Sequence, residues 1–557
     1  MSISIGIGGS SHDFSTCLID DDSRVVAIED ERISRVRYAL GEAAPCERSF
    51  TYVLESLGIS RDAIERVIGN DLLEPSDRRP GSGKSGAVGI ARINRERFPP
   101  LVLLNHHLMH AYSTFFTGPF EEAAILVMDG SGSPTGRQDV PERETLTLGV
   151  GRRNAITVLG SVVGESSGQG FSAGFSPLFH NSLGHLYRAV TQTIGFGWMH
   201  AGKTMGLAPY GDDRYVETLM RFVTLLPRGQ YQIRIAGKDG LLSMILRLRQ
   251  EGDATTSFAV DAALAHSVQT IVEEIVFHAL DFLWEVTKTP NLCLAGGVAL
   301  NGLLNGKIPR RTKFQNVHVV SAPGDGGTAV GSAIWDKVSQ LSPAASTVRF
   351  ESGPFWGREY RDDQIMSTLR RAGIVPRRPS DRFRTAAKII TEGKTLAWFE
   401  GASEFGPRAL GHRSIFADPR DARFVNHINL NIKGREWFRP IAPAVTEGAA
   451  STYFDHQCYS PHMQFVWPVR EQYRALLPAI THVDGCSRAQ TVRRSENESL
   501  HRLLEEFEAT TGVPVLINTS FNIEGSPIVE TPGDAIETFI RSNLDALMIG
   551  NYIVEKS

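Results

Sequence analysis

Apolar residues alternate at Ile3, Ile5 and Ile7, stop at Gly8-Gly9-Ser10-Ser11, and resume at Cys17-Leu18-Ile19. After the acidic turn Asp20-Asp21-Asp22, another apolar stretch covers residues 25–28. Period-two runs punctuated by turn formers predict strand, turn, strand, turn, strand, the opening of many α/β domains. Residues 101–104 and 123–128 predict two more strands. The first leads into a histidine cluster and the second ends in Asp129-Gly130-Ser131-Gly132. Over residues 261–288, Ala263, Val268, Ile271, Ile275, Leu280 and Leu283 recur at helical spacing and predict one long helix. A strand at 292–295, a Gly296-Gly297 turn, a helix and a strand at 317–321 follow, closing on Pro323-Gly324-Asp325-Gly326-Gly327. Residues 75–86, rich in Pro, Gly, Arg and Ser, read as a loop. Residues 342–353 read as a domain boundary, beyond which the alternation restarts at 395–399. No internal sequence repeat is evident. Alternation on both sides predicts two α/β domains, 1–345 and 346–557.

At roughly 150 residues per structural unit, 557 residues suit three or four units grouped in two domains. Hydrophobic residues at 41% and charged residues at 22% exclude a disordered, collagen-like or coiled-coil chain. With 62 acids against 58 Lys and Arg, nothing global favours nucleic acid or an anionic membrane. Cys17, Cys46, Cys293, Cys458 and Cys486 form no CxxC pair, which suits a reducing compartment. No basic stretch precedes an apolar core at the N-terminus, and no apolar run approaches the ~20 residues of a membrane helix. A cytoplasmic protein with neither nucleic-acid nor membrane partner is expected.

His106 and His110, at i and i+4, share one helix face at a spacing that lets two imidazoles grip one metal. Asp129 and Asp325 each follow a predicted strand, where α/β folds collect functional side chains. Two histidines with two carboxylates suit iron(II), manganese or zinc; the bland alternative is a pair of turn-starting aspartates. The glycine turn Gly296-Gly297, running to Asn301, offers free N–H groups to phosphate or ribose. Gly83-Lys84-Ser85 only imitates a phosphate-binding loop, because Arg78 stands where its first glycine is required. The sharpest signal is Glu404-Phe405-Gly406-Pro407-Arg408-Ala409-Leu410-Gly411-His412-Arg413-Ser414, then Lys433-Gly434-Arg435-Glu436-Trp437-Phe438-Arg439-Pro440, Arg488, and Asn518-Thr519-Ser520-Phe521-Asn522. Its bases are interleaved with Gly, Pro and Trp rather than helix-forming surface residues. That favours an anion site over a solvated charged face.

These stretches, together with Val127-Met128-Asp129-Gly130 and residues 202–208, resemble the NodU/CmcH-type carbamoyltransferases, which carbamoylate antibiotics and nodulation factors. The resemblance spans nearly the whole chain. It implies an N-terminal actin-like (ASKHA) domain, similar to the metalloprotein that makes threonylcarbamoyladenosine on tRNA, and a C-terminal YrdC-like α/β domain. It further implies that the C-terminal domain makes carbamoyladenylate from carbamoyl phosphate and ATP (with Mg2+). The intermediate then passes internally to the N-terminal site, where a small hydroxylated natural product accepts the carbamoyl group. By motif position, His106, His110, Asp129 and Asp325 would hold the metal, iron(II) in this family. Gly296, Gly297 and Asn301 would lie against the adenylate. Arg408, Lys433, Arg439, Arg488, Asn518 and Ser520 would surround carbamoyl phosphate and the ATP phosphates. His12-Asp13 matches a motif near the acceptor, with His12 either a general base or a substrate contact, and Lys203 faces the nucleotide. Residues 164–200 and 78–97 show little match and are expected to shape acceptor choice. A homodimer is compatible with the sequence. The rival readings are a tRNA-modifying enzyme, an actin-like small-molecule kinase and a scaffold that has lost its chemistry.

Overall fold

The computed structural model describes residues 3–76, 91–136, 142–170, 177–251, 257–342, 345–350, 353–456 and 458–556. Residues 75 and 76 end a strand, Leu73–Ser76, that pairs with Ala91–Asn94. The rest of the expected 75–86 loop, with Gly83-Lys84-Ser85, lies outside the described residues, as do 171–176 of the 164–200 segment. The chain forms two compact units. Unit 1 comprises Met1–Val25 and Leu40–Ser352; unit 2 comprises Val26–Ala39 and Gly353–Ser557.

Two sheets of unit 1 follow one plan. Strand Ser4–Gly8 pairs antiparallel with Ser15–Ile19 on one side and parallel with Val67–Asn70 on the other, and Val67–Asn70 pairs parallel with Leu101–Leu104. In the second sheet, Glu122–Met128 pairs antiparallel with Glu142–Arg152 and parallel with Asn291–Ala295, which pairs parallel with Asn316–Val319. This doubled plan, with no repeat in the sequence, is the actin-like architecture. The expected long helix runs from Ser257 to Thr287, its apolar stripe buried.

Two helices carry the future site. His106–Phe116 packs on strands Glu122–Met128 and Asn291–Ala295, and against helix Thr328–Ser339, which follows Asp325. The two helices cross closely at Gly331, where a Cβ would stand 1.8 Å from Met109 O. Any side chain there would push the histidine helix away from Asp325.

Unit 2 is a mixed seven-stranded sheet in the order Gln490–Val492, Pro443–Thr446, Val515–Ser520, Arg413–Ala417, Leu396–Phe399, Ala546–Ile549, Tyr552–Glu555. Helices Arg382–Thr391 and Glu498–Thr511 cover it, burying Phe383, Trp398, Phe416, Leu503 and Phe507 in one apolar cluster. Each such side chain contributes about 1.5–3 kcal/mol on burial. The segment Val26–Ala39 is tied into this unit. Ala27 N–H donates to Trp356 O at 3.0 Å, Arg32 to Gly406 O at 2.7 Å, and Arg35 to Ile528 O at 2.7 Å. No described helix is long and apolar enough to cross a membrane.

Candidate metal centre and cation-lined cradle

Asn105 caps the histidine helix by accepting from Leu108 N–H at 2.8 Å, and its amide donates to Glu144 at 2.8 Å. The helical repeat then turns His106 and His110 to one side, their Nε2 atoms 3.1 Å apart. Asp129, at the end of its strand, brings Oδ2 to 3.3 Å from His106 Nε2. Asp325 Oδ1 stands 3.7 Å from His106 Nε2 and 3.9 Å from His110 Nε2. One donor atom from each of the four buried residues lies within 4.8 Å of the others. Each carboxylate keeps one oxygen toward this cluster and anchors the other. Asp129 Oδ1 accepts from Gly297 N–H at 3.0 Å, and Asp325 Oδ2 accepts from the Ser10 hydroxyl. Gly296 allows this approach: it has φ +88°, and a Cβ there would stand 2.1 Å from Met128 O.

The electrostatics favour a cation at this cluster. Burial opposes charge on His106, yet Asp129 and Asp325 raise its pKa to about 10, while burial and the His106 charge lower His110 to about 4. Burial likewise opposes charge on Asp129, but the His106 hydrogen bond and adjacent imidazoles hold its carboxyl well below the usual range. A proton on His106 thus stands where a divalent ion would balance two carboxylates. Convergent imidazole nitrogens and carboxylate oxygens fit a first-row transition metal better than calcium. His107 is turned away: Nδ1 meets Thr147 Oγ1 at 2.8 Å, and burial lowers its pKa to about 3.

His12 lies half-buried beside the cluster, Nδ1 at 3.0 Å from Asp13 Oδ2 and its ring 5.6 Å from that of Trp198. Burial works against its charge, but Asp13, with Asp325 and Asp129 behind it, raises the pKa to about 9. Lys203 Nζ lies 5.6 Å from the Phe196 ring centroid, in the loop carrying Trp198. Asn301 is turned into the protein: its side chain caps helix Gly302–Arg311 by accepting from Leu304 N–H at 3.1 Å and donates to Gln269 at 2.8 Å.

In unit 2, Glu404 organises the arginine loop by accepting from the N–H groups of Leu410, His412 and Arg413 at 2.7, 2.8 and 3.1 Å. Arg413 packs 3.7 Å from the Phe399 ring centroid and donates to Glu400 O at 2.5 Å, so it is scaffold. Asn429 holds the second basic stretch, accepting from Arg435 Nε at 2.7 Å and donating to Arg439 O at 2.9 Å. Lys433 Nζ donates to Asn522 Oδ1 at 2.6 Å and Ser520 Oγ at 3.2 Å, which ties the Asn518–Asn522 turn to the cluster.

The cations crowd one another, Lys433 buried and Arg408, Arg435, Arg439 and Arg488 half-buried. Burial, then Arg408, Arg439 and Arg435, push Arg488 well below the ordinary arginine value. Burial and Arg439 lower Arg408 to about 10, and burial with Arg435, Arg439 and Arg37 pushes Lys433 well down. Arg408 Nε, Arg488 Nε and Asn518 Oδ1 are buried without a hydrogen-bond partner. Glu436 approaches Arg439 only to 3.9 Å. Buried like charges with idle donors are costly until an anion enters.

Residues 82–334 match the family described as Carbamoyltransferase N-terminus, and 387–556 match Carbamoyltransferase C-terminus. Nodulation protein NolNO of Sinorhizobium fredii is 35% identical over 568 residues, covering 98% of this chain and 79% of that protein. The chain belongs to the carbamoyltransferase family. Another relative of this carbamoyltransferase, the 3'-hydroxymethylcephem-O-carbamoyltransferase of Streptomyces clavuligerus, is 26% identical over 97% of this chain and 96% of its own. Among solved structures, full-length HypF in its phosphate- and nucleotide-bound form aligns over 61% of this chain and 56% of its own, at 13% identity and TM-score 0.37.

The carbamoyltransferase brings His106, His110, Asp129 and Asp325 together, sets Gly297 against Asp129, and gathers Arg408, Lys433, Arg439 and Arg488. Ser10, Arg37 and Arg435 were absent from the sequence-based candidates. Arg435 sits inside a stretch already singled out. Ser10 sits in the first glycine turn, and only the return of the chain at Asp325, 315 residues later, reveals its role.

Proposed function

We propose that this carbamoyltransferase activates carbamoyl phosphate in unit 2 and transfers the carbamoyl group to a hydroxyl in unit 1. Carbamoyl phosphate and water give carbamate and phosphate; carbamate attacks the α-phosphorus of ATP, forming carbamoyladenylate and releasing pyrophosphate. Arg408, Lys433, Arg439 and Arg488 bind the phosphates and offset the charge that develops on them. In unit 1 the acceptor oxygen bonds to the carbamoyl carbon, the bond to AMP breaks, and the acceptor proton goes to Nε2 of His12 in its neutral form, since Nδ1 is engaged by Asp13. With the His12 pKa raised to about 9, transfer should quicken as pH rises toward that value. His106, His110, Asp129 and Asp325 would hold the divalent metal, which when bound polarises the carbamoyl group and balances the leaving phosphate. Gly297 and Ser10 keep the two carboxylates aimed, and Asp13 holds the His12 ring in place.

The observation carrying this reading is the cluster of half-buried to buried cations in unit 2, crowded by their own like charges. An actin-like kinase has no use for it. A hydroxylated natural product is the acceptor class most consistent with the cephem-modifying relative. Incubation with ATP and carbamoyl phosphate should yield carbamoyladenylate and pyrophosphate, followed by mass spectrometry and a coupled assay. ATP binding without carbamoyl phosphate-dependent pyrophosphate release would overturn the activation step.

A further inference from the structure

Helix Leu183–Thr193 begins on the loop that carries Asp129. Its cap, Ser182, donates to Gly130 O at 2.6 Å and accepts from His185 N–H at 3.0 Å. A Cβ on Gly184 would stand 2.8 Å from Gly130 N and 3.2 Å from Asp129 C. The same helix packs against the turn Gly297–Leu300 that holds Asp129 from the other side.

His185, only 6% exposed, faces this loop: the Cβ position of Gly130 is 3.3 Å from its Cδ2 and 3.4 Å from its Nε2. His185 Nδ1 accepts from Phe179 N–H at 2.9 Å, which fixes the ring proton on Nε2 as a donor. Burial, and then Arg188, keep the ring neutral. Nε2–H has no acceptor among the described residues. Three residues along the same helix face, Arg188 is half-buried, with its Nε out of contact with solvent and unpartnered. Among the described residues no carboxylate pairs with it, and burial alone lowers its pKa to about 10. A partly desolvated guanidinium without a counter-charge is destabilising unless an anion completes it. Nothing in the metal-ligand set or the His12–Asp13 pair uses these two side chains.

We infer that His185 Nε2–H and the Arg188 guanidinium form an anion subsite beside the metal centre, built for the phosphate of a nucleoside 5'-monophosphate. This rests on the proposed transfer, in which AMP leaves beside Asp129 and needs donors that are fixed before the bond breaks. A planar fork and a neutral N–H bind a phosphate monoester without placing a second mobile cation against the metal.

The test uses the full-length protein loaded with Mn(II), which broadens the 31P line only of a phosphate bound close to it. AMP is the probe, with adenosine and inorganic phosphate as competitors. Wild type should broaden the AMP line saturably. Arg188→Gln should need about ten- to a hundredfold more AMP, Arg188→Lys should recover part of this, and His185→Phe should lose about three- to tenfold. Inorganic phosphate should compete better than adenosine for the affinity that Arg188 supplies. Equal AMP affinity in wild type, Arg188→Gln and His185→Phe would overturn the subsite. So would an unbroadened line with wild type. In that case pyrophosphate release, measured separately, tells whether the proposed function falls with it. Should Arg188→Gln fail to fold, Arg188→Lys and His185→Phe carry the comparison alone.

Discussion

The candidate metal centre and the cation cradle both concentrate charge, but they balance it in different ways. The metal centre contains titratable imidazoles, so His106 can take up a proton and answer Asp129 and Asp325 from within. The cradle's arginines have no such reserve, since arginine does not give up its proton at ordinary pH. Only Lys433, its pKa pushed well down, can shed one, and Glu436 reaches Arg439 only to 3.9 Å. Histidines and carboxylates can answer one another by changing protonation; neighbouring arginines cannot, and store repulsion until an anion offsets it.

The difference is sharpest at Arg488. Arg488→Ala should lower carbamoyl phosphate-dependent pyrophosphate release by about 10²- to 10³-fold. In anion-free buffer the same variant should melt at or above the wild-type temperature, because a repelled, partly unpartnered cation is gone. Added inorganic phosphate should then raise the melting temperature of wild type more than that of the variant. A cradle that melts lower without Arg488 would mean the cluster is held by contacts rather than strained.

His110→Ala should reduce bound metal at least about 100-fold by elemental analysis and abolish transfer, while pyrophosphate release in unit 2 persists. Parallel loss of both activities would erase the division between the sites. The proton stand-in gives a pH signature to the metal-free protein. The folded His106 pKa, about 10, exceeds its ordinary value of 6.5, so the stabilisation is complete below that value and is lost as pH rises toward 10. His12, raised to about 9, adds the same sign. Melting temperatures of chelated protein should therefore fall across this alkaline window, and those of metal-loaded protein should fall less. The smallest effect is at the cap: Asn105→Ala should cost about 1 kcal/mol in denaturant unfolding.

The four residues of the candidate metal centre are legible because their signals are local. The i,i+4 spacing of His106 and His110 is a helix property, and both aspartates follow apolar strands. The cradle was legible in part, since Arg408, Lys433 and Arg439 stand among Gly, Pro and Trp. What stayed hidden depends on distant chain segments meeting. Ser10 orients Asp325, Gly297 orients Asp129, and Asn429 shapes the backbone around Arg435 from a π-helical turn, His427–Ile432. Arg37 belongs with Lys433 because residues 26–39 join unit 2, and nothing in their composition distinguishes them from their neighbours. The doubled sheet plan escaped for a related reason: pairing direction repeats without residue identity.

That early segment also constrains how the protein can be made. Residues 26–39 leave the ribosome long before Glu404, Gly406 and Ile528, to which Arg32 and Arg35 donate. Unit 2 therefore cannot complete itself until both segments exist, and Arg32, almost fully buried in the fold, must remain solvated until Gly406 has been made. The halves are not interchangeable cassettes: a C-terminal fragment starting at residue 353 lacks its own strap, and domain exchange between relatives must carry residues 26–39 along with the C-terminal half.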